Sequence, residues 1–133
     1  EADKANLVLQ PSYSKEISFL CTCCGCCCGA LLRLKQHPKP SEIVASPFIA
    51  HATPETCDGC GICLDRCQME ALTLDDEQVV LNSDRCIGCG LCVSTCPTDS
   101  LILKRKSVSK HVPHNLETTW KEISLARAEK QTG

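Results

Sequence analysis

The chain has 133 residues, of which 14 are cysteine and only four are aromatic (Tyr13, Phe19, Phe48 and Trp120), too few for an ordinary oil-drop core. A length near 130 allows one domain with appendages and excludes two large ones, because domains commonly run to about 100–200 residues. A formal charge of −2 with pI near 6.1 offers no basic field to a phosphate backbone, and no stretch reaches the roughly 18 uncharged apolar residues that span a bilayer; neither nucleic-acid binding nor membrane insertion is expected.

From the amino terminus, Ala2 to Gln10 reads as the end of a helix running into an extended segment. With Glu1 rather than Met in first place, the chain is expected to be part of a longer chain or complex. Six cysteines follow in Cys21-Thr22-Cys23-Cys24-Gly25-Cys26-Cys27-Cys28-Gly29. On a straight helix, at about 100° per residue, Cys21, Cys24 and Cys28 would share one face while Cys23, Cys26 and Cys27 looked elsewhere. We therefore expect residues 21–24 to be extended and a helix to begin near Gly25, carrying Ala30, Leu31, Leu32 and Leu34 towards Gln36. His37-Pro38-Lys39-Pro40-Ser41 and Ser46-Pro47 should interrupt regular structure, leaving a linker or extended strap.

An internal repeat dominates the rest. Cys57-Asp58-Gly59-Cys60-Gly61-Ile62-Cys63-Leu64-Asp65-Arg66-Cys67 recurs 29 residues later as Cys86-Ile87-Gly88-Cys89-Gly90-Leu91-Cys92-Val93-Ser94-Thr95-Cys96, and Ala71-Leu72-Thr73-Leu74 falls on Ser100-Leu101-Ile102-Leu103. Each copy reads as a loop, a helical turn and a strand. A unit this small cannot bury its own apolar face, so the copies should pack about a pseudo-two-fold axis. Between them, Leu72-Thr73-Leu74 and Val79-Val80-Leu81 flank the polar Asp75-Asp76-Glu77-Gln78, the pattern of a hairpin. After Pro113, Asn115 can cap a tail helix whose stripe is Leu116, Trp120, Ile123 and Arg127, with Trp120 its expected anchor.

The organisation expected is a Cys-rich segment and strap over 1-51, a compact core over 52-104, and a linker with a helix over 105-133. Charge divides the same way: residues 54–103 hold nine acids and two bases, a net of −7, and the remainder holds twelve bases and seven acids, a net of +5.

Each copy of the repeat carries C-x2-C-x2-C-x3-C, the run that binds cubane iron–sulfur clusters. Two residues between ligands let one tight loop present three sulfurs to three corners of a cube, and the fourth corner must be met from outside that loop. Gly59, Gly61, Gly88 and Gly90 allow the backbone to approach the inorganic core and turn N–H groups towards it. Zinc is the competing reading of paired cysteines, but it takes four ligands from two separated pairs rather than four from each short run.

These residues resemble the bacterial-type ferredoxins that carry two [4Fe-4S] clusters, over about 52 residues. The resemblance implies an α+β, ferredoxin-like βαββαβ core, here with an N-terminal Cys-rich helical segment and a C-terminal helix. It also implies low-potential one-electron transfer. In that arrangement the fourth cysteine of each run serves the other cluster, which assigns Cys57, Cys60, Cys63 and Cys96 to one and Cys86, Cys89, Cys92 and Cys67 to the other. Gln68 departs from the pattern, since proline usually follows the fourth cysteine as Pro97 does in the second copy. The cluster served by Cys67 is therefore expected to be the more exposed.

Cys21, Cys23, Cys24, Cys26, Cys27 and Cys28 lie outside that pattern and admit three readings: a further metal site (a third iron–sulfur cluster, a zinc, or part of a site completed by another segment), a redox-active disulfide, or small apolar thiols packing a helix on the core. The C-x-C-C-x-C-C-C stretch, with its flanks, is similar to the C-terminal half of longer 4Fe-4S dicluster proteins of anaerobic bacteria. That similarity implies a role in anaerobic metabolism. His111 and His114 could share a metal, although a solvated loop is the simpler reading, and Lys104-Arg105-Lys106 reads as a solvated strand exit or a dock for an acidic partner.

No nucleophile triad, phosphate loop or catalytic carboxylate pair is recognisable. The expected function is electron transport as a ferredoxin module of a larger redox protein or complex, with redox proteins as partners; the alternative is an oxidoreductase subunit whose six front cysteines form an additional site fed by the clusters. Tight cysteine clusters without a secretory signal favour a cytoplasmic location.

Overall fold

The computed structural model describes residues 1–108 and 110–133. Residues 2–6 form turns rather than a helix end and lead into β1 (Val8–Pro11), which pairs antiparallel with β2 (Leu20–Cys23), Val8 facing Cys23 and Pro11 facing Leu20. The extended stretch expected at 21–24 is thus the strand of a small ladder. Helix α1 (Gly29–Gln36) begins four residues later than expected, because residues 25–27 are spent on a turn that packs against Gln68. Arg33 and Lys35 occupy its last turn, where cations suit the helix dipole. The proline-rich stretch is not wholly irregular: Pro40 opens a short α2 (Pro40–Ile43), at a position where its missing N–H costs nothing.

The repeat begins with β3 (Phe48–Ala52), followed by a 3-10 turn over Pro54–Thr56, helix α3 (Ile62–Arg66), strands β4 (Leu72–Asp75) and β5 (Gln78–Leu81), and β6 (Leu101–Arg105). β4 and β5 form the expected hairpin, with Asp75 opposite Gln78. Its two turn residues, Asp76 and Glu77, both have positive φ (45° and 61°), as the tight turns that match strand twist require. β3 and β6 pair antiparallel from Phe48–Arg105 to Ala52–Leu101, which closes the two ends of the repeat on each other. Where the first copy has α3, residues 91–95 of the second run as turns, so the second helix of the βαββαβ order is a helical turn in name only. The copies nevertheless match in backbone detail: Glu70 and Asp99, three residues past the fourth cysteine of each, share the left-handed conformation at φ 54° and 51°.

Two apolar clusters carry the packing. The first joins Ala50, Ala71, Leu72, Val79 and Leu101 with the buried Cys63, Cys86 and Cys92, so the repeat's core is part cysteine. The second joins Val8 and Leu31 from the front segment with Met69, Ile87 and Leu91 from the repeat, and Cys23, Cys28 and Cys67 pack against it. Leu31 has no exposed surface, a burial that contributes roughly 1.5–3 kcal/mol. Ionic clamps reinforce the join: Asp3 accepts from the Arg66 guanidinium and from the Ser94 hydroxyl, each at 2.7 Å. Arg85 donates to the Met69 carbonyl at 2.8 Å and to that of Lys35, in the last turn of α1, at 2.9 Å.

Helix α4 (Leu116–Thr132) has Asn115 as its cap, whose side chain accepts from the Thr118 N–H at 2.9 Å. The expected anchor is wrong. Trp120 is 58% exposed, and Thr119 is the residue turned inward, donating its hydroxyl to the Tyr13 carbonyl at 2.7 Å. The group Thr119 meets there is the backbone carbonyl of Tyr13, between the buried Ser12 and Ser14, which suits a hydroxyl and not an indole. Among the described residues no helix is long and apolar enough to cross a membrane.

Candidate iron–sulfur sites

Each run of cysteines is held open by backbone that only glycine adopts readily. Gly59, Gly61, Gly88 and Gly90 have φ between 69° and 81°. At Gly88 a close approach adds to the conformation: a Cβ there would lie 2.1 Å from the Phe48 carbonyl oxygen, so β3 rests directly on the loop of the second run.

The sulfurs gather around two small cavities. Cys57, Cys60 and Cys63 line one together with Cys96, the last cysteine of the other run. Cys86, Cys89 and Cys92 line the other together with Cys67. The exchange of the fourth cysteine follows from chain direction: α3 carries Cys67 away from its own loop into the join between copies, and the turn at 91–95 does the same for Cys96.

The local electrostatics divide along the same lines. Burial pushes the Cys63 thiol above its ordinary value, with Cys57, Cys60 and Cys96 adding to the shift. The Cys92 thiol is pushed up to about 12, by burial first and then by Cys89, Cys67, Cys86 and Cys63. Crowded, dry thiols of this kind ionise only when a cation compensates the charge, as a metal-binding set requires. Cys96 is the opposite case. Burial pushes its thiol up, but N–H groups of Thr98, Ser100 and Leu101 and the Thr98 hydroxyl outweigh it and leave the thiol below its ordinary value. Elsewhere the Ala71 N–H donates to Cys67 Sγ at 3.3 Å and the Ala50 N–H to Cys86 Sγ at 3.4 Å.

These donor sets fit a multi-atom inorganic core. Among the described residues, the one group of three or more potential ligands whose donor atoms all lie within 4.8 Å of one another is Cys24, Cys26 and Cys27. The sulfurs round the two cavities are spread more widely than one zinc ion would draw them, since zinc thiolates about 2.3 Å from the metal stand about 3.8 Å apart.

The two sites differ in surroundings. Asp58 stands in the first loop where Ile87 stands in the second; Asp58 Oδ1 accepts from the Cys60 N–H at 3.2 Å, while Ile87 is buried. Gln68 does not expose the site beside Cys67 as expected. Its side chain accepts from the Gly25 N–H at 2.7 Å and donates to the Asn6 carbonyl at 2.9 Å, drawing the front segment over that side. This tether escaped sequence reasoning, and its one visible signal was the missing proline.

The six front cysteines fall into neighbouring groups, with the Cys23 and Cys28 thiols hydrogen-bonded to each other. Cys23 and Cys28 pack against the second apolar cluster, Cys21 is exposed on β2, and Cys24, Cys26 and Cys27 converge in the turn. Cys24 and Cys26 are joined as a disulfide, with Cys27 Sγ 3.4 Å from Cys24 Sγ. His111 and His114 do not share a site, since His111 faces Glu122 at 3.3 Å and His114 faces Glu16 at 3.5 Å. Of the basic run, Arg105 lies over the Phe48 ring at 5.2 Å and Lys106 reaches the Ser41 carbonyl at 3.5 Å, so two of its three residues are engaged within the chain.

Residues 56–100, about a third of the chain, match the family model described as the 4Fe-4S dicluster domain. The stretch containing both cavities is therefore an iron–sulfur domain of the ferredoxin-like kind, and the chain is a metal-binding protein with iron–sulfur cofactors. A comparison with curated proteins yields no match.

Proposed function

We propose that this chain relays single electrons through two low-potential [4Fe-4S] clusters, one on Cys57, Cys60, Cys63 and Cys96 and the other on Cys86, Cys89, Cys92 and Cys67. The observation that carries the reading is the composition of the two cavities, each lined by three sulfurs of one run and one of the other. When bound, such clusters take up and release one electron each at potentials set by charge, hydrogen bonds to sulfur and burial. The chain's own part is to hold the thiolates, to direct N–H groups at Cys67, Cys86 and Cys96, and to keep bulk water from Cys63 and Cys92.

The reading extends to partners. The net charge of −7 over residues 54–103 opposes uptake of a further electron, which favours low potentials, and suits a redox protein with a basic patch. Both bases of this stretch, Arg66 and Arg85, are spent on internal clamps, which leaves the outward charge acidic. Action as a module of a larger redox protein or complex, in the cytoplasm and in anaerobic metabolism, belongs to the same proposal. The second reading, an oxidoreductase subunit with an added site in the front segment, draws support from the convergence of Cys24, Cys26 and Cys27.

Anaerobic metal analysis with electron paramagnetic resonance tests the relay. About eight iron and eight sulfide per chain are expected. Cys96→Ser should disturb the same cluster signal as Cys60→Ser, and Cys67→Ser the same signal as Cys89→Ser. If Cys96→Ser and Cys89→Ser disturb one signal together, the assignment is wrong.

A further inference from the structure

The front loop is built differently from the two cavities. Its three sulfurs lie within 4.8 Å of one another, in a turn whose residues 26 and 27 are exposed. A tetrahedral ion with thiolates about 2.3 Å away holds its ligands about 3.8 Å apart. A cubane spreads its ligands over separate corners and cannot be served from so small a triangle. Of the other front cysteines, Cys23 and Cys28 form a separate pair beside the loop, their thiols hydrogen-bonded to each other, and Cys28 also accepts from Gln10 Nε2 at 3.8 Å and leads into α1.

The loop is also anchored. Gly25, between Cys24 and Cys26, donates its N–H to Gln68 Oε1 at 2.7 Å, and a Cβ on residue 25 would lie 2.8 Å from that same oxygen. Gln68 directly follows Cys67, which lines the second cavity. One amide therefore holds the thiol turn in shape and fixes it beside the iron–sulfur domain.

We propose that Cys24, Cys26 and Cys27 form a third site, for one thiophilic divalent cation of the zinc class, and that Gln68 is the positioning residue that fastens it next to the second cavity. Three soft thiolates select such a cation, and the exposed side leaves a fourth position to water or an incoming ligand, as in reactive rather than purely structural zinc sites. The disulfide between Cys24 and Cys26 and the metal-bound form exclude each other. A phosphine converts one into the other: it gives two electrons to the S–S bond and becomes a phosphine oxide with oxygen from water, and the two protons of that water go to the sulfurs. The cation then displaces the thiol protons. The proposal stands on the front loop and does not depend on the relay.

The test uses the full chain, anaerobic and loaded with iron and sulfide, titrated with zinc before and after phosphine treatment, with cobalt(II) as the coloured substitute. Expected are one zinc per chain only after reduction, cobalt–thiolate charge-transfer bands, and an unchanged iron count. Cys24→Ser, Cys26→Ser and Cys27→Ser should each weaken zinc at least tenfold without altering the cluster signals. Gln68→Ala should weaken it about fivefold, the loss of a hydrogen bond worth about 1 kcal/mol, and Gln68→Glu, which still accepts from Gly25 but no longer donates to the Asn6 carbonyl, should recover only part of that. Failure to bind zinc after reduction, zinc taken up at the expense of iron, binding that survives the triple serine variant, or about four extra iron lost in that variant would each overturn the proposal. Because the zinc and iron readouts are separate, its failure is distinguishable from that of the relay.

Discussion

At the scale of single residues, Gly88 shows how tightly the site constrains the chain. Its φ of 69° and the 2.1 Å gap between a notional Cβ and the Phe48 carbonyl oxygen leave no room for any side chain. Gly88→Ala should cost about 1–3 kcal/mol from backbone conformation alone and more from displacing β3, read as a lowered midpoint in chemical denaturation of the iron-loaded protein. Gly29 is the control. Nothing lies within 4 Å of a Cβ there, it is helical, and Gly29→Ala should be neutral or slightly stabilising. Equal effects of the two substitutions would mean that β3 does not rest on the second loop.

At the scale of elements, the tail helix separates what sequence patterns carry from what they do not. Asn115 as cap was legible because capping is local chemistry, settled within three residues. The inward face of α4 was not, because an apolar stripe presumes an apolar partner, and the partner here is the Tyr13 carbonyl flanked by Ser12 and Ser14. Thr119→Val, which keeps shape and removes the hydroxyl, should therefore destabilise the docking of α4 by about 1–3 kcal/mol. Trp120→Ala at its exposed neighbour should stay within about 0.5 kcal/mol. Hydrogen exchange of the α4 amides measures both, and a larger loss for Trp120→Ala would reinstate the indole as anchor. The same division explains the rest of the chain. The β4–β5 hairpin could be read from two short apolar-rich runs around four polar residues, and the grouping of eight cysteines from a 29-residue repeat. Gln68 reaching Gly25 spans 43 positions, and no local pattern announces a contact of that range.

At the scale of the whole molecule, cysteine does the work that aromatic residues do elsewhere. Cys63, Cys86 and Cys92 are members of the main apolar cluster, and Cys57, Cys67 and Cys96 pack against it. Each cavity joins one copy of the repeat to the other, and the second apolar cluster ties the front segment to the same join through Cys67, Met69 and Ile87. A metal core bound at these sulfurs is thus a cross-link between residues far apart in sequence, and its binding free energy is folding free energy. Without it, two cavities are left lined by thiols, among them a Cys92 thiol that burial pushes up to about 12. The four aromatic residues cannot compensate, since Tyr13, Phe19 and Trp120 are exposed and Phe48 stands at the edge of the β3–β6 pair. Removing iron with a chelator under anaerobic conditions should therefore unfold residues 48–105 cooperatively and release α1 with them, because Leu31 loses its seat on Met69 and Leu91. Circular dichroism should fall in step with loss of cluster absorbance, and re-addition of iron and sulfide should restore both. A chelated protein that keeps its strand signal would show that the polypeptide folds on apolar contacts alone, with the clusters as passengers.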